Sequence, residues 1–567
     1  MRNFLSIMFI AGVLSLLFTG RDFAQATNAS VAGVITDPDN QPVAGASISV
    51  RNESTGFTTS TSTNRSGEYL FQQLPLGGPY TITVRHLIYA EVSEKGYSLN
   101  QGDLLRLNFT LKQNATTLAS VEVTATSNLK NTIRNLGAST AVTSSDLERL
   151  PVNGRNFTSL INLSPLSNGN QLSGQIATST NYSIGGMTSR GPLSGGTTNR
   201  GPYSVSMEAI REFEIATNQY DVTYGRAGGG TISTVTKSGT NTFTGSAFTY
   251  ARTAGLASPY DIRGNRIDQE YATYQFGFSL GGPIVKDKAH FFVALDQQAD
   301  SRPFYIADIR SPEDEAPLNV TQSTLDQFLD IARTKYGVAE SQQFGAFDRK
   351  RPTTTLFARI DWQLNDKNLL TVRNNYVRDM NNQGVSDNSA INLYEVYGSH
   401  LSTDNSFMAS LRTSIAPKIT NELKAQYLYT LDDGRPNSQL PAANIPRAIV
   451  QQLESTIDGR PANTTIQLGG QRYLPEIFKN HVLQLVDNLY WTKNNVNYTF
   501  GVDLMYTKLS SLATSEMNGR FFFSGMDNFE SLSPYRYARE VALVDDPTVN
   551  QSVLNSGLYA QAQSNLG

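Results

Sequence analysis

After residue 240 the chain alternates apolar and polar residues with a period of two, in paired segments of roughly ten residues. In "YATYQFGFSLGG", Ala272, Tyr274, Phe276, Phe278 and Leu280 fall on one face and Thr273, Gln275, Gly277 and Ser279 on the other. "TLFARIDWQL" gathers Leu356, Ala358, Ile360 and Trp362, turns at "NDKN", and returns through Leu370, Val372 and Tyr376. "NYTFGVDLMY" repeats the pattern with Tyr498, Phe500, Val502, Leu504 and Tyr506. Such alternation predicts strands with two unlike faces. Turns inside the pairs are a few residues long, whereas the connections between them, 299–352, 379–404, 431–480 and 509–554, are long and polar. Short turns on one rim and long loops on the other predict a transmembrane β-barrel of the outer-membrane type, whose Gln, Asn, Asp and Arg face suits a wet or plugged lumen. A soluble sandwich or propeller would share the alternation. The loop asymmetry and the tyrosines near strand ends favour the membrane.

Upstream the pattern differs. Residues 29–112 carry short alternating runs separated by turn residues: Val31 and Ile35 before "DPDNQP", then Ala46, Ile48 and Val50, then Tyr80, Ile82 and Val84, then Leu105, Leu107, Phe109 and Leu111. They predict a small β-sandwich. The "DPDN" stretch reads as a turn, because Ile48 stands where a calcium loop beginning at Asp37 would need a bidentate carboxylate. From 113 to 240 the chain is rich in Ser, Thr, Asn and Gly. Short helices are expected after Ser144 or Ser145, ending at Pro151, and within "RNFTSLINLSP"; a helical turn at 207–211 leads into the strand "EFEIAT". "LASVEVTATS" is a β-prone segment that another sheet could grip through its backbone, or an ordinary linker. The glycines 225, 228, 229 and 230 let backbone pass close to backbone, as needed where a compact insert meets a barrel wall.

Composition narrows the chemistry. The 567 residues carry a net charge of -3 without basic runs, so nucleic acid is not an expected partner. Cysteine is absent, which removes thiol catalysis and thiolate metal sites. The four histidines, His86, His290, His400 and His481, are widely separated and predict no metal site. Ser279 sits in a G-x-S-x-G string, yet inside an alternating strand rather than at a strand-to-helix turn, so no nucleophile is assigned. No enzyme and no cofactor are expected. The opening "MRNFLSIMFIAGVLSLLFTGRDFAQA" has an early cation, a short apolar run and small residues at Ala24 and Ala26, and predicts a signal peptide over 1–26 rather than an anchoring helix.

With these residues in view, "SMEAIREFEIATNQYDVTYGRAGGGTISTVTKSGTNTFTGSAF" resembles the plug end and first barrel strand of TonB-dependent outer-membrane receptors. "GVITDPDNQPVAGASISV" and "NRSGEYLFQQLPLGGPYTITV" resemble the carboxypeptidase-regulatory-like domain found in the adhesion-protein subgroup of that family. "LERLPVNGRNFTSLINLSP" and "GGPIVKDKAHFFVALD" are similar as well. The resemblance implies a mainly β chain in five parts: signal peptide 1–26, sandwich 29–112, TonB-box-like strand and linker 113–127, small α+β plug 128–240, and the first ten or so strands of a 22-stranded barrel over 241–567. It implies that Ser120, Val121, Glu122, Val123, Thr124 and Ala125 serve as the TonB box. Gly225, Arg226, Gly228, Gly229, Gly230, Lys237, Ser238 and Gly239 would form the plug–barrel junction. TonB, outer-membrane lipid and an extracellular peptide, protein or glycan are the implied partners; the N-terminal domain and plug entrance would face the periplasm of a Gram-negative bacterium. Import is the leading function, with adhesion or export by the same architecture, or a soluble secreted β-rich adhesin, as alternatives. Two departures stand out. "SIGG" at 183–186 puts Gly185 where the family carries aspartate, and the strands are too few to close around a plug, which predicts a fragment of a longer receptor.

Overall fold

Several β-structures share the chain in the computed structural model, which describes residues 29–113, 121–124, 132–133, 139–149, 157–168, 171–176, 179–189, 205–217, 222–223, 225, 228–260, 270–385, 390–493 and 496–564. The expected signal peptide lies outside these residues.

The N-terminal domain is a two-sheet sandwich. In one sheet Ala29–Thr36 pairs antiparallel with Glu68–Leu74 and parallel with Leu104–Arg106 and Phe109–Thr110. The other runs in the order Thr58–Ser62, Ser47–Asn52, Gly77–Arg85, Val92–Leu99. The alternating apolar positions read from the sequence meet between them, with Ile35, Ile48, Val50, Tyr80, Ile82, Val84 and Leu111 fully buried. Asp37 makes the turn after the first strand by accepting from the backbone N–H of Asp39 and of Gln41, both at 2.9 Å. The sheets also take in backbone from beyond residue 112: Thr132–Ile133 pairs with Leu104 and Leu105, and Val121–Thr124 joins Val92–Leu99.

The second structure is a five-stranded sheet in the order Ser139–Thr143, Ile210–Ala216, Gly230–Thr236, Thr180–Ile184, Met187–Thr188. Gly230–Thr236 is central and every one of its residues is buried. The two short helices expected from the sequence are present as Ser144–Arg149 and the 3-10 helix Phe157–Leu163.

The third structure is a wall of ten strands, each antiparallel to the next in chain order, from Thr244–Thr253 to Val549–Ser564. Tight turns follow the pairs Val285↔Ala289, Asn365↔Asn368, Ala416↔Ile419 and Lys493↔Val496, all on one rim. The polar row of the wall is buried and the apolar row exposed: Gln275, Ser279, Asp296, Thr353, Arg373, Gln426 and Gln484 face in, while Phe276, Phe278, Ile360, Trp362, Leu483 and Phe500 face out. The wall curves around the five-stranded sheet, and its Phe292, Ala294 and Phe357 join that sheet's core of Ile184, Phe213 and Ile232.

One expectation is corrected. The long connections are not simply polar loops. Their ends lengthen the wall strands, up to the 21 residues of Gly345–Asn365. Their middles assemble a cap with its own sheet, Ile391–Asn392, Arg460–Gly469, Arg447–Ile457, Arg520–Ser524 and Arg536–Ala538, backed by helices Gln322–Tyr336 and Gly525–Glu530. Helix Gln322–Tyr336 obeys local rules: the Thr321 hydroxyl accepts from the Thr324 N–H, Leu325, Phe328, Ile331 and Ala332 form its buried stripe, and Gly337, at φ +71°, ends it. Phe529 stacks on Phe328 and Tyr336, with ring centroids 4.8 and 4.4 Å apart, and closes the cap core.

Candidate transport path

The inner face of the wall is a row of polar side chains that would be costly to bury unbonded. The five-stranded sheet bonds many of them. Arg373 donates to the Ile184 carbonyl at 2.6 Å, and the Gln426 amide donates to the Thr188 carbonyl at 2.7 Å. Gln484 accepts from the Thr188 N–H at 3.1 Å. Arg359, held in a two-pronged pair with Asp361 at 2.8 Å, donates to the Thr236 carbonyl and hydroxyl at 3.1 and 3.0 Å. Ser246 of the first wall strand donates to the Glu208 carboxylate at 2.6 Å. The sheet is thus fixed to the wall by directional polar bonds along one edge and by a small apolar patch.

The residues expected at the junction divide between two tasks. A side-chain carbon at Gly229 would come within 2.8 Å of Gln175 and 2.9 Å of Ser179, and one at Gly230 within 2.7 Å of the Ala216 carbonyl and 2.8 Å of Leu172. These glycines therefore serve close approach inside the five-stranded sheet. Gly228 donates its N–H to the Ser179 carbonyl at 2.9 Å, and the Gly225 carbonyl accepts from the Asn181 amide at 3.1 Å. The wall is met further on: a side chain at Gly239 would collide with the carbonyls of Phe291 and Gly282. Lys237 donates its N–H to the Ala209 carbonyl at 2.8 Å, and Ser238 lines the cavity beneath the sheet. Arg226 lies outside the described residues.

At the rim of short turns the N-terminal domain covers the lumen. Thr61 donates to the Pro417 carbonyl at 2.9 Å, the Asn241 N–H to the Ser54 carbonyl at 2.6 Å, and Arg412 of the wall to the Gln73 and Gln72 carbonyls at 2.7 and 3.2 Å. Gln101 donates its N–H to the buried Glu212 carboxylate at 2.6 Å and its amide to Ser233 at 3.0 Å. Burial pushes the Glu212 carboxyl up from its usual 4.5 to about 7; neighbouring Asp103 and Glu214 add to the rise, while Arg211 and the Gln101 N–H oppose it. On the same domain Val121–Thr124 lies parallel to Val92–Lys95 as the fifth strand of its sheet, in the register Val92↔Val121 to Lys95↔Thr124. Ser120 and Ala125 fall outside the described residues. The segment that looked isolated in sequence is held through its backbone at a sheet edge.

The opposite mouth carries the cap, which the sequence reading missed. A cavity of about 390 Å³ opens in it among Tyr336, Leu440, Ile445, Leu468, Phe521 and Phe523, with Glu395 at its side. The Glu395 carboxylate accepts from the Gly469 N–H at 2.7 Å, and burial raises its pKa. Around Glu516 converge Arg447, Arg520 at 2.9 Å and Arg472 at 3.5 Å, tying the hairpin of 447–469 to the last long connection. Helix signals at 321–337 and the run Phe521–Phe523 were the clues available in the sequence. Ser279 lies mid-strand facing inward, with the Ser246 hydroxyl at 2.8 Å. Among the described residues no group of His, Asp and Glu is arranged to hold a metal.

A strand wall with an apolar exterior and a polar, occupied interior defines a membrane β-barrel fold. The comparisons agree with that class. Residues 30–112 match the carboxypeptidase regulatory-like domain, and residues 235–315 and 317–566 match the outer membrane beta barrel domain. The TonB-dependent transporter Oar of Myxococcus xanthus is 29% identical over an alignment of 304 residues that covers 49% of this chain and 27% of Oar. Among solved structures, the outer membrane transporter YddB from Escherichia coli superposes with a TM-score of 0.50 at 14% identity, over 75% of this chain and 54% of YddB. The siderophore receptor PirA from Pseudomonas aeruginosa gives 0.41 at 14% identity, over 68% and 50% of the two chains. At such identity the likeness to YddB speaks for fold alone. The chain belongs to the outer membrane beta barrel domain family and carries an N-terminal carboxypeptidase regulatory-like domain; it is similar to a TonB-dependent transporter, of whose length it spans well under two thirds. Its place is the outer membrane, and the soluble secreted adhesin is set aside. Its relatives are transporters and receptors, not enzymes.

Proposed function

We propose that the protein imports a ligand across the outer membrane with energy delivered by TonB. In this reading residues 128–240 are the plug, residues 120–125 are the TonB box, and the N-terminal domain and short-turn rim face the periplasm. The cap gathers the ligand outside; its apolar cavity beside Glu395 suits an apolar segment of a peptide, protein or glycan carrying one polar group. The observation that carries the proposal is the pairing of Val121–Thr124 at a sheet edge. A strand paired at a sheet edge through its backbone can be taken over by another protein's edge strand. The plug must then move or loosen for passage, and its attachment by polar bonds rather than a broad apolar interface suits that, since water can replace each bond.

The test is binding of the purified periplasmic domain of TonB to the protein inserted in lipid vesicles. Wild type is expected to bind, and deletion of residues 120–125 to abolish binding while leaving the wall folded by heat-modifiability. Undiminished binding by the deletion variant would overturn the assignment.

A further inference from the structure

Beneath the plug sheet lies a cavity of about 130 Å³ enclosed by the wall, the sheet and the N-terminal domain. It is well above the ~10–15 Å³ that one water requires. Its lining is cationic: Arg211, Arg359, Arg373, Arg412, Lys288 and Lys424, against Asp361 and Glu422. The two acids are engaged, Asp361 by Arg359 and Glu422 by Lys424 at 3.0 Å. Arg412 is bonded to the Gln72 and Gln73 carbonyls and to Ser414. Arg373 is the least fully bonded of the buried guanidiniums described at this cavity. It is 2% exposed, it spends only Nη2, on the Ile184 carbonyl at 2.6 Å and on Gln426 at 3.5 Å, and its Nε and Nη1 have no acceptor among the described residues. Native proteins rarely bury a guanidinium without an anion.

The space beside it is equally specific. Gly185 stands at φ +58°, and a side-chain carbon built there would lie 3.5 Å from Arg373 Nε and 3.8 Å from Nη2. A carboxylate carried at this position would sit against the guanidinium; glycine leaves that place vacant of side chain. We infer that the cavity binds a small oxyanion, a phosphate, sulfate or carboxylate group, against the free Nε–H of Arg373 in the space over Gly185. A buried guanidinium N–H makes strong, charge-assisted hydrogen bonds to such oxygens. Arg211, whose Nε also lacks an acceptor among the described residues, lines the same cavity and adds positive charge. The site is independent of the TonB assignment.

The experiment is calorimetric titration of the detergent-solubilised full chain with potassium phosphate, sulfate and acetate at constant ionic strength, comparing wild type with Gly185→Asp, Gly185→Ala and Arg373→Gln. Aspartate tolerates the left-handed backbone at 185 better than most residues. Gly185→Ala carries the backbone strain without the charge. Wild type is expected to bind one oxyanion, and Gly185→Asp and Arg373→Gln to bind at least tenfold more weakly, a difference of about 1.4 kcal/mol, with Gly185→Ala, whose methyl enters the same space without a charge, losing less than Gly185→Asp. The species that binds most tightly identifies the chemistry of the natural occupant. Absence of binding to wild type by all three anions, or equal binding by Gly185→Asp, would overturn the inference. Because Gly185→Asp supplies its own counter-charge, it remains informative if Arg373→Gln fails to fold.

Discussion

Strand Gly77–Arg85 of the N-terminal domain and strand Ala272–Val285 of the wall alternate with the same period and bury opposite faces. In the first, Tyr80, Ile82 and Val84 are wholly buried. In the second, Phe276 and Phe278 are 51% and 44% exposed, and it is Gln275 and Ser279 that are hidden, at 5% and 7%. A strand pattern therefore specifies two unlike faces and leaves open which one is inside; the solvent on each side decides. The sandwich removes its apolar row from water by stacking two sheets. The wall hands its apolar row to hydrocarbon and needs a folded, polar insert to satisfy the other. The cap, built from the wall's own connections, returns to the first arrangement, with Phe328 and Phe529 buried.

Three substitutions probe this contrast. Phe529→Ala removes the ring on which Phe328 and Tyr336 stack, and should cost the cap about 3–5 kcal/mol. Hydrogen exchange in helix Gln322–Tyr336 is expected to accelerate while the wall keeps its heat-modifiable mobility; loss of both together would mean that cap and wall are one cooperative unit. Phe278→Arg, midway along its strand, should cost about 2–4 kcal/mol in vesicle-based unfolding if that face meets lipid. Were the face in water, the change would stay within about 0.5 kcal/mol. Glu212→Gln acts at the contact between the sandwich and the five-stranded sheet. With its pKa raised from 4.5 to about 7, the native state holds the Glu212 proton longer than the unfolded chain does, so stability falls as pH rises across that window and is lowest above it. At pH 8 the glutamine variant should be more stable by up to about 3 kcal/mol, and near pH 4 the two should coincide. A variant advantage that does not change with pH would show that the carboxylate is solvated there.

Much of the fold was legible because its signals are local. The turns of the sandwich, helix Ser144–Arg149 and the wall hairpins around 286–288 and 365–367 each follow from a few neighbouring residues. The cap was not, because its core is shared among four connections. Phe328, Val450, Leu468 and Phe529 come from three of them, and none of these segments alone buries enough apolar surface to announce itself. The docking of Val121–Thr124 is a backbone pairing, which any β-prone segment could make. Of the glycine cluster, Gly229 and Gly230 approach Leu172 and Gln175 closely, Gly225 has open space beside it, and Gly239 meets Phe291; what each glycine approaches is settled only in three dimensions. Arg373 looked like any other polar residue of the inner row until its missing partner became visible.

The central claim is that the apolar face of the wall meets hydrocarbon. The chain has two tryptophans, and Trp362 stands on that face, half exposed. With Trp491→Phe leaving Trp362 as the sole indole, its fluorescence in vesicles should be strongly quenched by lipids brominated along the acyl chain and little affected by iodide in the buffer. Emission insensitive to the brominated lipids and quenched by iodide would contradict the account.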